Sequence, residues 1–345
     1  MNVLEVKNLS IGFSIGKNKV APTVSEISFH LRRGEILALV GESGCGKSIS
    51  CMSLSKLLPS PPAVVSGTIS LRKRDGSTVD VMELSGKELR KIRGGEIAYI
   101  FQEPSVSLNP VFRIGDQIRE VLELHRPEIE DTDEEIISLL KKVGIPAPEA
   151  RIKCYPHELS GGMQQRVMIA MALASNPSIL IADEPTTALD VTIQAQILDL
   201  IKDLQKQLGM SVMLITHDLG VVAEMCDEVI VMYAGQVCER GTADEIFYNP
   251  KHEYTKGLIR SIPTASDDDR RLEPIGGTPV DLLNMPDGCP FAPRCDNAMK
   301  VCLTHKAKEL LINDCHAASC WYNFKDAIAE GRLTEKEVEE MYKDE

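Results

Sequence analysis

Apolar residues change their period several times along this chain. Over residues 1–34 they alternate with polar ones (Val3, Leu4, Val6 and Leu9, then Ile27, Phe29 and Leu31), and turn signals intervene. That spacing predicts antiparallel strands. Glu35-Ile-Leu-Ala-Leu-Val40 is instead a continuous branched run, the pattern of a strand buried on both faces of a parallel sheet. Residues 49–58 read as a helix, and 67–82 as a second β-rich stretch. From 111 to 159 apolar residues recur at steps of three and four: Ile114, Ile118, Val121 and Leu122, then Ile136, Ile137, Leu140 and Val143. This predicts helices. Strand-like runs return at 179–182, 212–216 and 229–232, separated by helices or turns. The alternation predicts an α/β fold whose parallel sheet carries helices on both faces. Residues 263–279, with three consecutive aspartates and paired glycines, read as a linker. A cysteine-rich stretch follows, then a charged helix from about Thr334 to the end.

The turn after the buried run changes the picture most. Residues 41–48 read Gly41, Glu42, Ser43, Gly44, Cys45, Gly46, Lys47 and Ser48, which is G-x-x-x-x-G-K-S. This motif needs a strand before it and a helix after it, and both are predicted here. Glycines let the backbone wrap a phosphate with its N–H groups turned inward. The helix that starts near Ile49 adds a positive dipole end. Lys47 is expected on the β- and γ-phosphates and Ser48 on Mg²⁺.

The apolar run Ile179-Leu-Ile-Ala182 ends in Asp183 and Glu184, 136 residues beyond Lys47. Ligands of open α/β sheets sit at that end of a strand. Asp183 is expected to orient Mg²⁺, and Glu184 to act as general base on the attacking water. Leu159-Ser160-Gly161-Gly162-Met163-Gln164-Gln165-Arg166 is the most diagnostic stretch. Ser160 can cap a helix whose core face carries Met163, Val167, Ala170, Met171 and Ala174. Its start offers backbone N–H groups and a hydroxyl to an anion.

With these three motifs together, the chain resembles the ATP-binding-cassette (ABC) ATPases over residues 1–260. The resemblance implies a P-loop NTPase fold with a RecA-like parallel core, an antiparallel β subdomain, a helical signature subdomain at about 103–175, a linker at 261–280 and a small cysteine-rich extension at 281–345. It implies that Ser160, Gly161 and Gly162 face ATP bound to a second ATPase subunit, identical or paralogous. Gln102 matches the Q-loop, near Mg²⁺ and the water. Asp190 matches the D-loop, and His217 the histidine that senses the γ-phosphate. Phe13 is the candidate for stacking on adenine.

Four segments are similar to the peptide and nickel importer branch. They are residues 101–110 (Phe-Gln-Glu-Pro-Ser-Val-Ser-Leu-Asn-Pro), 155–159, 190–196 and 249–255. Glu253 departs from the branch, which usually carries proline there. Residues 288–295, Gly-Cys-Pro-Phe-Ala-Pro-Arg-Cys, resemble the C-terminal extension of oligopeptide and dipeptide importer ATPases. The implied partners are two transmembrane permease subunits and, indirectly, an extracytoplasmic solute-binding protein. The implied place is the cytoplasmic face of the membrane, as a peripheral subunit.

Of ten cysteines, Cys45, Cys51, Cys154, Cys226 and Cys238 are scattered, whereas Cys289, Cys295, Cys302, Cys315 and Cys320 share one short stretch. In a reducing compartment such a cluster favours metal over disulfides. C-x5-C-x6-C-x17-C suits either a [4Fe–4S] cluster or a structural zinc, although zinc usually has ligand pairs two to four residues apart. The family resemblance points to [4Fe–4S] on Cys289, Cys295, Cys302 and Cys320, with Cys315 a bystander. Cys45 reads as a small filler rather than a redox switch.

Composition narrows the field. A net charge of −13 and 4% aromatics argue against a nucleic-acid partner. No apolar run approaches the roughly 20 residues of a membrane span. The first residues lack a signal pattern, so a cytosolic location is expected. Only 111 residues separate Ser48 from Leu159, too few for the coiled-coil insertions of DNA-repair ATPases. A single set of motifs argues against the two-headed translation factors. Asp183, Glu184 and His217 together argue against a module that only binds ATP.

Overall fold

The computed structural model describes residues 1–16, 19–187, 189–262 and 274–343. Most of the expected linker, 263–273, lies outside the described residues.

Among the described residues the strands are β1 (Asn2–Ser14), β2 (Val20–Arg32), β3 (Ile36–Val40), β4 (Ala63–Arg72), β5 (Thr78–Asp80), β6 (Ile97–Ile100), β7 (Ile179–Asp183), β8 (Ser211–Ile215), β9 (Glu228–Tyr233), β10 (Gln236–Thr242), β11 (Leu310–Asn313) and β12 (His316–Ala318). They form two sheets. A four-stranded antiparallel sheet has the order β2-β1-β4-β5. An eight-stranded sheet has the order β11-β12-β10-β9-β3-β8-β7-β6. Its β9-β3-β8-β7-β6 part is parallel.

The continuous apolar runs follow from this stacking. In β3, Ala38 and Val40 face one core, while Leu37 and Leu39 face another. Leu180 and Ala182 of β7 join the first, and Ile179 and Ile181 the second. Both faces are dry, so Ile36–Val40 and residues 179–182 carry no polar side chain. Truncating a fully buried member such as Leu39 to alanine costs about 2–5 kcal/mol.

The first core is covered by helices, including Ile114–His125, Thr132–Lys142, Gly161–Ala174 and Val191–Leu208. The second face differs from the expectation of helices alone. It is shared between the antiparallel sheet and the short helices Lys47–Ser53 and Gly86–Ile92. The helix expected over 49–58 stops at Ser53. Lys56 turns left-handed (φ 52°), and its Nζ donates to the carbonyls of Met82 and Leu84. Pro59 then disfavours helical geometry at Leu58.

The largest difference is at the C-terminus. The main sheet is mixed, because β10, β12 and β11 run antiparallel. The cysteine-rich stretch therefore adds two strands to the ATPase sheet. A buried cluster fastens them. Glu239 on β10 accepts the N–H groups of Lys251 and His252, and its Oε1 lies 2.7 Å from Nε2 of His316 on β12. His316 Nδ1 is 3.2 Å from Glu245. The final helix, Glu335–Met341, is short and exposed, and Thr334 with Glu337 forms its capping box.

Candidate functional site

The C-terminal ends of β3, β7 and β8 lie side by side, with Leu39 and Asp183 both paired to Ile215. The chain leaves β3 into a loop that two glycines make possible. Gly41 has φ 148°, and a Cβ there would sit 2.2 Å from the Met232 carbonyl. Gly46 has φ 101°, with Val24 at 2.8 Å from the same imagined atom. The loop closes under a pocket of about 560 Å³, lined by Ser43, Gly44, Gly46, Lys47, Ser48, Ile49, Gln102, Glu184 and His217. That volume suits a nucleotide phosphate chain.

Lys47 is buried, and its Nζ donates to the carbonyls of Gly41 at 2.7 Å and Glu42 at 3.0 Å. The ammonium is thus held inside the loop by neutral acceptors, and no ion pair is made to it among the described residues. Ser48 Oγ donates to Asp183 Oδ1 at 3.0 Å. Burial pushes the Asp183 carboxyl above its usual range, against the Ser48 hydrogen bond, which lowers it. A hydroxyl and a buried carboxylate side by side are the hard oxygen donors that Mg²⁺ takes, so these residues fit the ion.

Glu184 has a left-handed backbone (φ 46°), unusual for a residue with a side chain. Its N–H donates to the Ile215 carbonyl at 2.9 Å, so the sheet itself holds this conformation. Three groups then converge on the carboxylate. Gln102 Nε2 donates to Oε2 at 3.0 Å, and Thr187 Oγ1 donates to the same oxygen at 2.8 Å. His217 Nδ1 lies 3.3 Å from Oε1, with its ring 68% exposed. Thr187 was not foreseen. Its only signal was its place in the turn after Glu184.

Other expected residues lie elsewhere. Glu42 and Cys45 are in the loop but outside the pocket lining. Cys45 is buried, and burial raises its thiol pKa despite neighbouring Lys47. Phe13, at the end of β1, is half-buried against the second core and does not line the pocket. Ser160 caps its helix, accepting from Met163 N at 3.4 Å. Ser160 and Gly161 are exposed, and neither they nor Gly162 reach this pocket. In that helix Val167, Ala170 and Ala174 are buried as expected, whereas Met163 and Met171 are half-buried. Asp190 caps the helix Val191–Leu208 through Ile193 N at 3.0 Å. Gln165, within the signature stretch, carries no role expected from the sequence. It is buried and donates to the Pro185 carbonyl at 2.6 Å, tying the helix to the turn after Glu184.

Cys289, Cys295, Cys302 and Cys320 line one small cavity with His252, Phe291 and Trp321. Burial pushes the Cys295 thiol up to about 11 and that of Cys320 to about 12. Among the described residues, no group of three or more His, Cys, Asp or Glu is placed to hold a metal ion. Cys315 is exposed at the β11–β12 turn, apart from the other four.

Residues 24–187 match the ABC transporter family, and residues 238–302 match the oligopeptide/dipeptide transporter C-terminal region. The chain is 50% identical over 321 residues to the dipeptide transport ATP-binding protein DppD of Bacillus subtilis, covering 92% of this chain and 94% of that protein. It is 50% identical over 328 residues to the oligopeptide transport ATP-binding protein OppD of the same organism, covering 94% and 90%. Among solved structures, a dimeric post-hydrolysis state of the ATP-binding cassette MJ0796 bound to ADP and Pi superposes with a TM-score of 0.60 at 28% identity, over 70% of this chain and 98% of that one. The cbiO1 subunit from Clostridium perfringens, part of the ABC transporter complex cbiONQ, gives 0.59 at 30% identity, over 72% and 91%. A phosphate loop beneath a paired aspartate and glutamate, on a chain half identical to these transport proteins over nearly its whole length, places it in the ABC transporter ATP-binding family, in the branch with the oligopeptide/dipeptide C-terminal region.

Proposed function

We propose that this chain is the ATP-hydrolysing subunit of an importer of dipeptides and oligopeptides. It works on the cytoplasmic face of the membrane with two permease subunits, a second ATPase subunit and, indirectly, a solute-binding protein. Nickel or another small solute is the alternative cargo. The observation that carries the enzymatic part is the convergence of Gln102, Thr187 and His217 on Glu184 at the mouth of the phosphate-loop pocket.

In this reading the loop amides and Lys47 bind the β- and γ-phosphates of ATP. Ser48, Asp183 and Gln102 would hold Mg²⁺, which would neutralise charge on the phosphate oxygens. Glu184 accepts the proton of a water attacking the γ-phosphorus. Gln102 and Thr187 orient that carboxylate, and His217 is poised between it and the γ-phosphate. Phe13 stacks on adenine. Ser160, Gly161, Gly162 and Asp190 serve the partner's nucleotide, which accounts for their distance from the pocket of their own chain.

The division into an ATPase domain at 1–260, a linker at 261–280 and an extension at 281–345 belongs to the same proposal. So does a [4Fe–4S] cluster on Cys289, Cys295, Cys302 and Cys320. It is supported by four thiols on one cavity. Anaerobically purified protein is expected to be brown and to contain iron. Colourless protein with neither iron nor sulfide removes the cluster.

Transport is tested in cells lacking the chain. Uptake of a labelled dipeptide is expected to fall to background while nickel uptake persists. Unchanged peptide uptake with lost nickel uptake would reverse the cargo.

A further inference from the structure

Glu42 is the second residue of the phosphate loop, and its N–H, carbonyl and carboxylate each have a protein partner. Its N–H donates to the Tyr254 hydroxyl at 2.8 Å, and its carbonyl accepts from Lys47 Nζ at 3.0 Å. Its carboxylate is gripped by Arg294, 252 residues further on. Arg294 Nη1 donates to Oε2 at 2.6 Å, and Nη2 to Oε1 at 2.9 Å. This two-pronged geometry fixes direction as well as charge.

Arg294 is itself held from several sides. Its side chain is only 4% exposed. Its Nε donates to the Gly276 carbonyl at 2.8 Å, and Nη1 to the Tyr233 hydroxyl at 3.3 Å. The guanidinium carbon sits 5.7 Å from the Tyr233 ring centre and 5.9 Å from that of Phe291. Its own N–H donates to the Phe291 carbonyl at 2.9 Å, in the tight turn between Cys289 and Cys295.

A carboxylate in a loop that must surround a polyphosphate repels its ligand unless it is neutralised and turned aside. Arg294 does both. We propose that Arg294 is a positioning residue for ATP. By clamping Glu42 it sets the phosphate loop, and through the Glu42 carbonyl it sets where Lys47 waits. Nucleotide affinity thereby depends on the turn that carries Cys289 and Cys295. The inference rests on residues 41–48 being the ATP phosphate loop.

The test uses the full chain and a fluorescent ATP analogue with Mg²⁺. Binding by the unmodified protein checks the phosphate-loop reading by itself. Arg294→Ala is then expected to weaken binding about tenfold, a shift of about 1.4 kcal/mol. KM for ATP rises, and kcat at saturation changes far less. Arg294→Lys keeps the charge without the fork and is expected to fall between the two. Adding Glu42→Gln to Arg294→Ala removes the orphaned carboxylate and is expected to recover most of the affinity. An Arg294→Ala protein that melts earlier yet binds with unchanged affinity per folded molecule would reduce Arg294 to a structural clamp and overturn the proposal. If that variant does not fold, Arg294→Lys is read by the same criterion: unchanged affinity refutes, weaker binding supports.

Discussion

Gln102 donates an N–H to the Glu184 carboxylate at 3.0 Å, although 82 residues separate them. β6 and β7 are parallel neighbours, and Gln102 follows the end of one as Glu184 follows the end of the other. Two residues just beyond adjacent strand ends meet across the crevice where ligands of such sheets sit.

Glu184→Gln keeps the shape and most hydrogen bonds of this side chain but removes its capacity to take a proton. Turnover is expected to fall by about 10²–10⁴-fold. ATP affinity is expected to persist, because the loop and Lys47 are untouched. Phosphate release and nucleotide binding, measured side by side, separate the two effects. Undiminished turnover removes Glu184 from the role of base.

Ser160 is exposed and outside the pocket of its own chain. Ser160→Arg places bulk and charge on the surface assigned to the partner's nucleotide. Hydrolysis and ATP-induced association of subunits are expected to be lost, while single-chain ATP binding stays. Sedimentation with and without ATP, using Glu184→Gln as background, reads this directly. Undisturbed association sinks the shared-site reading.

Glu239 and His316 are both fully buried. Glu239→Ala leaves His316 and two backbone N–H groups without their acceptor. Breaking such a network by removing one partner destabilises by about 3–5 kcal/mol. The loss is expected to fall on β11 and β12, since Glu239 and His316 join them to the sheet. Limited proteolysis should then cut the C-terminal region before the rest. A cleavage pattern identical to that of the unmodified protein contradicts the anchor.

His125 ends the helix Ile114–His125, and its ring fills the space above Gly94 and Gly95. Burial lowers its pKa below the ordinary histidine value. The folded state therefore prefers the neutral ring. Its contribution is complete above the unfolded pKa and is lost as pH falls toward the lower folded one. His125→Gln is expected to flatten that part of the stability curve below about pH 6.5. Chemical denaturation at several pH values checks it, and parallel curves for the two proteins would exclude His125.

What could be read from the sequence was the chemistry carried on single short segments. A phosphate loop needs its glycines and lysine at fixed spacing on one stretch of backbone, so residues 41–48 announce themselves. Runs such as 36–40 and 179–182 stand out because both of their faces are dry. The signature stretch and the Asp183–Glu184 pair are local in the same way.

Tertiary structure alone decided which distant groups meet. Gln102 reaches Glu184, Arg294 closes on Glu42, and His316 pairs with Glu239 through folding, with no periodicity to signal it. The same holds for β11 and β12. Leu310–Asn313 is only four residues long and half-exposed, and its strand character comes from the neighbour it finds. Hydrophobic pattern determines which face of an element is buried. Long-range pairing depends on where every other element has already been placed, and no short window of sequence contains that information.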